Sequence, residues 1–599
     1  MIVLGVDGMD PAFVERHWDV LPNLRRLSQE GSFSRLQTTA PPQSPVAWST
    51  FITGMTPDAH GIFDFVHRDA ATLAPFSSMS ETLEPRFTLP LGEWRIPLSS
   101  ARIVSRRQGT AFWKLLDDAG VPVTMMRMPT NYPPVEAGQA VAGMGTPDLR
   151  GTQGTFSFYT DDPEELSRAT AGGRIEKVAV EGGRVVLRVE GPPNSFRKDS
   201  AYAAVEVVAD VDPAQDWVRF TVGESVVVLR AGEWSEWLAA DFPLLPYVVS
   251  ARGMLRIFVR QLHPRFEVYV TPVNVDPMKP VLPLSEPASF AKELAEATGR
   301  FYTLGIAEDT SALRQGVFSL PQFLAQAGLV LADEKKLLRR ALAEYRGGLL
   351  FFYISSIDQH SHMLWGRHET ELLDVYREVD GMVGEVRRAH PAAELIVMSD
   401  HGFSTYERSV HLNRWLANRG FLSLNAAGGQ ELSLSDADWG STEAYALGLN
   451  GLYVNVAGRE KNGSVKGVER RRAVIETLRE QLLAFRDPET GARVVNTVAV
   501  TNADAATASV APDIIVGYAA GYRGSWETAL GGVPRLEVEA NNDLWVGDHC
   551  IDPAAVPGVL FSPRRLMATE PRLQDVTVTI LRGFQVQPGA AMSGRALFQ

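Results

Sequence analysis

Five stretches scattered along the chain carry residues that could bind a metal or attack a substrate. Asp7 closes an apolar run at residues 2–6, and Ser44 stands in the proline-bounded stretch Pro41-Pro42-Gln43-Ser44-Pro45. Asp358 and His362 follow an apolar run at 348–355, Asp400 and His401 follow another at 394–398, and His549 follows Trp545-Val546-Gly547-Asp548. Mixed nitrogen and oxygen donors, in a chain with the single cysteine Cys550, suit Zn²⁺ or Mn²⁺ better than a structural zinc site built on thiolates. Two such cations ~4 Å apart would account for the number of ligands and would serve an in-line displacement at phosphorus. Ser44 is the candidate nucleophile. A free serine hydroxyl is a poor one near neutral pH, and direct coordination to a metal lowers its pKa without a Ser-His-Asp triad.

These residues converge only if the elements between them bring them to one place. Runs 2–6, 348–355 and 394–398 read as strands buried on both faces of a parallel sheet. In an open parallel sheet the carboxyl ends share one edge, where ligands bind. Asp358 and His362, four apart, share a face if that strand enters a helical turn. Asp400 and His401, being adjacent, can reach two metals from a strand-end loop. Helices are expected at 21–31, 111–120, 335–345, 372–390 and 468–485, and further strands at 121–126, 451–456, 513–517 and in the stretch 544–548 just ahead of His549. The fold class expected is α/β, a doubly wound, mostly parallel sheet flanked by helices. From about 151 the texture changes. Segments 175–189, 201–211, 217–230 and 255–273 alternate valine with polar residues between Gly, Pro and Asp turns, the pattern of antiparallel strands. The expected division is a discontinuous catalytic domain, 1–150 with 320–599, and an inserted β-rich domain with its connecting segment, 151–319, whose partner the sequence does not name. Residues 64–108 read as an irregular surface excursion with a basic patch at Arg102, Arg106 and Arg107.

A length of 599 residues exceeds what one core usually serves. The formal net charge of -13 argues against binding a nucleic-acid polymer, which needs a basic face. The first residues lack the basic and long apolar regions of a signal peptide. No window supplies ~20 apolar residues for a membrane span. The cytoplasm is the expected location.

The order Asp7-Gly8, Ser44 ahead of Gly54, Thr56-Pro57 with His60-Gly61, Asp358 with His362, Ser399-Asp400-His401-Gly402 and a late His549 resembles the alkaline phosphatase superfamily. Within it, the chain is most similar to the type I phosphodiesterase/nucleotide pyrophosphatase branch. The resemblance covers about 1–150 and 320–599. It implies that Asp7, Ser44, Asp400 and His401 hold one divalent cation, with Ser44 transiently phosphorylated. Asp358, His362 and His549 would hold the other, which activates the hydrolytic water. The activity implied is hydrolysis of a small-molecule phosphate ester, a diester first. A phosphomonoesterase, a phosphotransferase such as a phosphomutase, or a phosphonate or sulfate hydrolase would use the same seven residues. Two departures stand out. The branch usually has threonine at the position of Ser44, and an asparagine that binds phosphoryl oxygens at the position of Ala47. Trp48, Asn131 or an arginine of the basic patch are the candidates to replace that donor. With Ala47 as the lesion, a weakly catalytic protein that binds a phosphorylated ligand is the alternative from another class.

The remaining histidines have plainer readings. His263 reads as a surface or core residue, His360 and His368 as neighbours of a ligand, and His411 as a packing or capping residue. Asp548 is either a turn residue or a partner that orients His549. Cys550 reads as a buried thiol.

Overall fold

All five residues of the strand Ile2–Val6 are buried, and the strand pairs in parallel with Leu349–Ile354 on one side and Leu395–Met398 on the other. Its continuous apolar run is what a strand covered on both faces requires. Beyond Leu395–Met398 the sheet continues through Gly558–Ser562 and then Ser32–Leu36, both antiparallel to their neighbours. The parallel centre therefore carries an antiparallel edge. Helices Pro22–Glu30, Glu369–Ala389 and Leu573–Gly583 flank this sheet.

Helix Ser44–Thr53 is buried along its whole length, as expected of a helix without a polar face. Trp48 meets Phe351 and Tyr353 edge-on at 6.0 and 5.6 Å, and Phe51 packs on Phe351 at 5.6 Å. Gly54 ends the helix in the left-handed conformation, φ 63°, which glycine adopts without strain.

The computed structural model describes residues 1–168, 171–212, 215–425, 432–504, 506–567 and 569–598. They divide into one unit of Met1–Glu81, Ser105–Thr124 and Tyr345–Gln599, and a second of Thr82–Val104 and Met125–Glu344. In the second unit, Arg184–Pro193, Tyr202–Val211, Trp217–Val222 and Ser225–Arg230 form an antiparallel meander. Val185, Leu187, Val189, Val207 and Val218 lie on its buried side, so period-two patterning sets its core. Leu238–Leu245, Val249–Leu255 and Asn274–Val275 make another antiparallel sheet. In a third sheet Phe156–Thr160 pairs in parallel with Gly173–Lys177 and antiparallel with Glu267–Val270.

Three expectations are corrected. The helix expected at 335–345 is Leu320–Glu344, because Phe323, Ala327, Val330 and Leu331 extend its buried stripe past Gly328. Residues 64–108 are not irregular: Val66–Arg68 pairs with Pro75–Ser77, and Thr88–Leu91 with Trp94–Pro97. Residues 547–548 do not belong to the central sheet; the two-residue strand Gly547–Asp548 pairs antiparallel with Ser404–Val410. No helix among the described residues is long and apolar enough to cross a membrane.

Candidate metal and active site

Asp7 and the Asp400-His401 pair leave the carboxyl ends of neighbouring parallel strands, Ile2–Val6 and Leu395–Met398. Asp358 and His362 lie on helix Ser356–Leu364, which begins two residues after strand Leu349–Ile354. Ser44 is the first residue of its helix. His549 follows the Gly547–Asp548 strand. The structure brings these seven side chains together, all inside the first unit. His401 Nε2 lies 3.0 Å from Ser44 Oγ, 3.4 Å from Asp7 Oδ1 and 3.3 Å from Asp400 Oδ2. Asp358 Oδ1 faces His362 Nε2 at 3.5 Å and His549 Nε2 at 3.8 Å. Three triads each place ligand atoms within 4.8 Å of one another: Asp7, Asp400, His401; Asp358, His401, His549; and, beside them, Asp548, His549, Cys550.

The turn after Asp7 needs glycine. Gly8 has φ 69°, and a Cβ there would stand 2.5 Å from the Phe403 ring and 3.0 Å from Asp358 Cα. Ser399 Oγ accepts from Met9 N–H at 2.9 Å and donates to His401 O at 2.6 Å, which ties the two ligand loops to each other.

Each imidazole is oriented through its far nitrogen. Nδ1 of His362 meets Gly547 O at 2.8 Å, Nδ1 of His401 meets Gly402 O at 3.1 Å, and Nδ1 of His549 meets Pro42 O at 2.7 Å. A carbonyl accepts, so each Nδ1 carries the hydrogen and each Nε2 lone pair faces the cluster. One Asp7 oxygen is similarly committed: Oδ2 accepts from Trp48 Nε1 at 2.9 Å and from Tyr353 OH at 2.7 Å. Asp7 Oδ1 is left facing Ser44 and His401.

The charge balance is that of a cation site. Burial, and then the charge of Asp358, push Asp7 up to about 7. Burial followed by Asp7 and Asp358 pushes Asp400 well above the carboxylate range. Burial also pushes Asp358 up, but the imidazoles of His362, His549 and His401 reverse this and hold it at about 2. Burial lowers both His401 and His549, whereas at His362 burial is outweighed by the Asp358 carboxylate, which raises it. Carboxylates this close cannot all ionise unless positive charge is supplied. Asp358 Oδ1 and Asp400 Oδ2 are buried without a hydrogen-bond donor among the described residues. Unpaired buried oxygens of this kind, beside imidazole nitrogens, fit divalent cations.

The other candidates fall as follows. Ala47 is fully buried. Trp48 is fully buried too, with its indole N–H committed to Asp7. Asn131 lies in the second unit, where its Oδ1 accepts from Val135 N–H at 3.1 Å. Arg106 pairs with Glu81 at 3.1 Å and lies over the Phe76 ring. His360 Nδ1 meets Ser356 O, and His411 Nδ1 meets Ser525 Oγ at the start of helix Leu412–Asn418. Asp548 makes no hydrogen bond to the His549 ring among the described residues, although a carboxylate oxygen lies within 4.8 Å of a ring nitrogen. Its Oδ1 accepts the backbone N–H groups of His549 and Cys550, and its Oδ2 accepts from Trp545 Nε1 at 2.8 Å.

Sequence reasoning missed Tyr353, Trp545 and Arg523. Trp545 stacks on His362 at 3.8 Å between ring centroids. Arg523 Nε lies 2.7 Å from Asp548 Oδ2, and its guanidinium lies over Trp526. A buried tyrosine inside the strand that leads to Asp358 was a readable signal for the first. Nothing local marks the other two.

A buried cluster of three carboxylates, three imidazoles and a serine, beside the carboxyl ends of parallel strands and with groups that could hold a metal ion, marks an α/β protein of the alkaline phosphatase superfamily. The chain belongs to the type I phosphodiesterase / nucleotide pyrophosphatase family, whose model matches residues 1–180 and 285–523. Six of the seven clustered residues lie inside the match, and His549 lies beyond it. The family supports phosphoric-ester hydrolysis as the activity. A search of curated proteins finds no match. Among solved structures, the chain is similar to phosphonoacetate hydrolase from Sinorhizobium meliloti 1021 in complex with phosphonoformate (13% identity, 97% of this chain and 94% of that chain, TM-score 0.43). It is also similar to murine ectonucleotide pyrophosphatase / phosphodiesterase 5 (10% identity, 98% and 96%, TM-score 0.41).

Proposed function

We propose that the protein is a two-metal phosphodiesterase that works through a covalent intermediate on Ser44. The observation that carries this reading is the 3.0 Å approach of Ser44 Oγ to His401 Nε2, inside a ring of carboxylates with unpaired buried oxygens. Asp7, Ser44, Asp400 and His401 would hold one cation, and Asp358, His362 and His549 the other. When bound, a pair of divalent cations, Zn²⁺ with Mn²⁺ as the alternative, lowers the pKa of the serine hydroxyl, polarises a phosphoryl oxygen and offsets charge on the leaving oxygen.

The residues of the chain do the rest. Ser44 Oγ forms a bond to phosphorus as the bond to the leaving alcohol's oxygen breaks on the opposite side, and the proton that Ser44 gives up ends on that alcohol. Water then attacks the same phosphorus, and Ser44 Oγ departs and recovers a proton. Trp48 and Tyr353 fix the Asp7 carboxylate through Oδ2, which holds Oδ1 beside the nucleophile. With alanine at 47, phosphoryl-oxygen stabilisation falls to the cations and to other donors. The catalytic segments are proposed to be 1–150 and 320–599. The β-rich insertion expected over 151–319 is proposed to take no part in the phosphoryl chemistry, and residues 181–284 lie outside the family match.

Turnover of bis-p-nitrophenyl phosphate against p-nitrophenyl phosphate, with Zn²⁺ or Mn²⁺ supplied, tests the reading. The diester is expected to be cleaved faster. The reverse order would replace the diesterase with a monoesterase, and no turnover of any phosphoryl, phosphonate or sulfate ester would leave a binding protein.

A further inference from the structure

The strand Ser225–Arg230 is the outer strand of its four-stranded sheet. It pairs with Trp217–Val222 through a tight turn at Gly223 and Glu224, with Val222 opposite Ser225, Phe220 opposite Val227 and Val218 opposite Leu229. A two-residue turn closes on a hydrogen-bonded pair, so Ser225, Val227 and Leu229 direct their backbone groups to that neighbour. Val226 and Val228 therefore direct their N–H and C=O groups to the open edge. No backbone partner for them occurs among the described residues. Their side chains are 60% and 55% exposed. Val226, Thr221, Val208 and Val186 stand in register across the sheet's outer face, and Val186 is also exposed.

Natural edge strands are usually blunted by proline, a bulge or an inward-pointing charge. Ser-Val-Val-Val-Leu-Arg has no proline or glycine, its register with the neighbouring strand has no bulge, and its only charge is at the last residue. The sequence around the edge is complementary to itself. In an antiparallel pairing centred on Val227, Val226 lies opposite Val228 of the partner subunit as a hydrogen-bonded pair. The same register sets Arg230 opposite Glu224 of the partner subunit. Both of these side chains are exposed, and neither has an ion-pair partner among the described residues. A shift by two residues in either direction loses the charge match.

We propose that two copies of this chain associate through Ser225–Arg230, edge to edge and antiparallel, joining their meanders into one continuous sheet. The interaction needs no part of the metal cluster. Opposite-charge and β-branched cross-strand pairs favour it, and the exposed valine stripe continues across the junction.

The test is the oligomeric state of the full chain, measured by sedimentation velocity over a concentration series. A concentration-dependent dimer is expected. Val228→Pro removes an N–H that makes no bond inside the chain, and edge strands tolerate proline at such a position. It is expected to weaken the dimer about tenfold or more, because half of the junction's hydrogen bonds are lost. Val226→Lys, which sets a charge on the edge without touching the turn, should do the same. For register, chains carrying Val226→Cys and Val228→Cys should cross-link under oxidation when mixed, and neither alone; Cys550 is buried. A wild-type chain that stays monomeric at high concentration, a dimer that both variants leave intact, or a different strand of another protein as the bound partner would overturn the proposal.

Discussion

The indole of Trp48 donates to Asp7 Oδ2 at 2.9 Å across 41 positions of sequence, and the hydroxyl of Tyr353 reaches the same oxygen. A carboxylate with one oxygen held in this way presents the other in a fixed direction. Trp48→Phe keeps the aromatic packing on Phe351 and removes only the donor. The expected result is a ~10–100-fold loss of metal affinity or turnover with little change in thermal stability, read by metal titration and steady-state kinetics side by side.

Separating the two cation positions calls for metal analysis. Asp358→Ala and His549→Ala should each lose one of two cations, while Asp400→Ala should lose the cation beside Ser44. Inductively coupled plasma analysis of each folded variant gives the count. Full occupancy in Asp358→Ala would mean that the second position is misassigned.

Trp545 lies over His362 at 3.8 Å and donates to Asp548. Trp545→Leu removes the stack and the bond together. The expected effect is selective: the cation proposed for Asp358, His362 and His549 weakens ~10-fold or more, and the other keeps its affinity. Equal weakening of both would argue against this placement.

The buried pair of Arg523 and Asp548 sets a pH dependence. Burial would raise the Asp548 carboxyl, but Arg523 outweighs it, followed by His549 and His362, and the pKa falls well below the usual carboxylate range. A depressed carboxylate stabilises the fold fully above its unfolded pKa of ~3.9. That contribution is lost as pH falls through ~4 toward the folded value. Urea unfolding in chelator should therefore show stability falling from about pH 5 downward, with a shallower fall in Asp548→Asn. At neutral pH the same variant should lose ~3–5 kcal/mol, because it leaves Arg523 buried without its counter-charge.

How far the sequence discloses all this depends on the range of the signal. The strand Leu349–Ile354 is legible because a continuous apolar run admits no other exposed element, and the four-residue step from Asp358 to His362 then fixes a shared helical face. Asp7 is legible from the glycine that follows it. The donor type of His549 is legible too, but its route to the cluster is not: it rides on a two-residue strand paired with Ser404 and Thr405, too short to leave a pattern. The bonds from Trp48 and Tyr353 to Asp7 join segments whose separation no local rule spans. Helix Leu320–Glu344 extended further than expected because a glycine at 328 reads as a break and costs only ~1 kcal/mol in a packed helix.

The central claim is that Ser44 forms a covalent intermediate beside two cations. Metal-loaded protein quenched during turnover of bis-p-nitrophenyl phosphate, then digested and mapped by mass spectrometry, tests it most directly. The account predicts a phosphoryl adduct on Ser44, and a Ser44→Ala variant with no adduct, intact fold and turnover lower on the order of 10³-fold or more. Parental turnover by Ser44→Ala would contradict it.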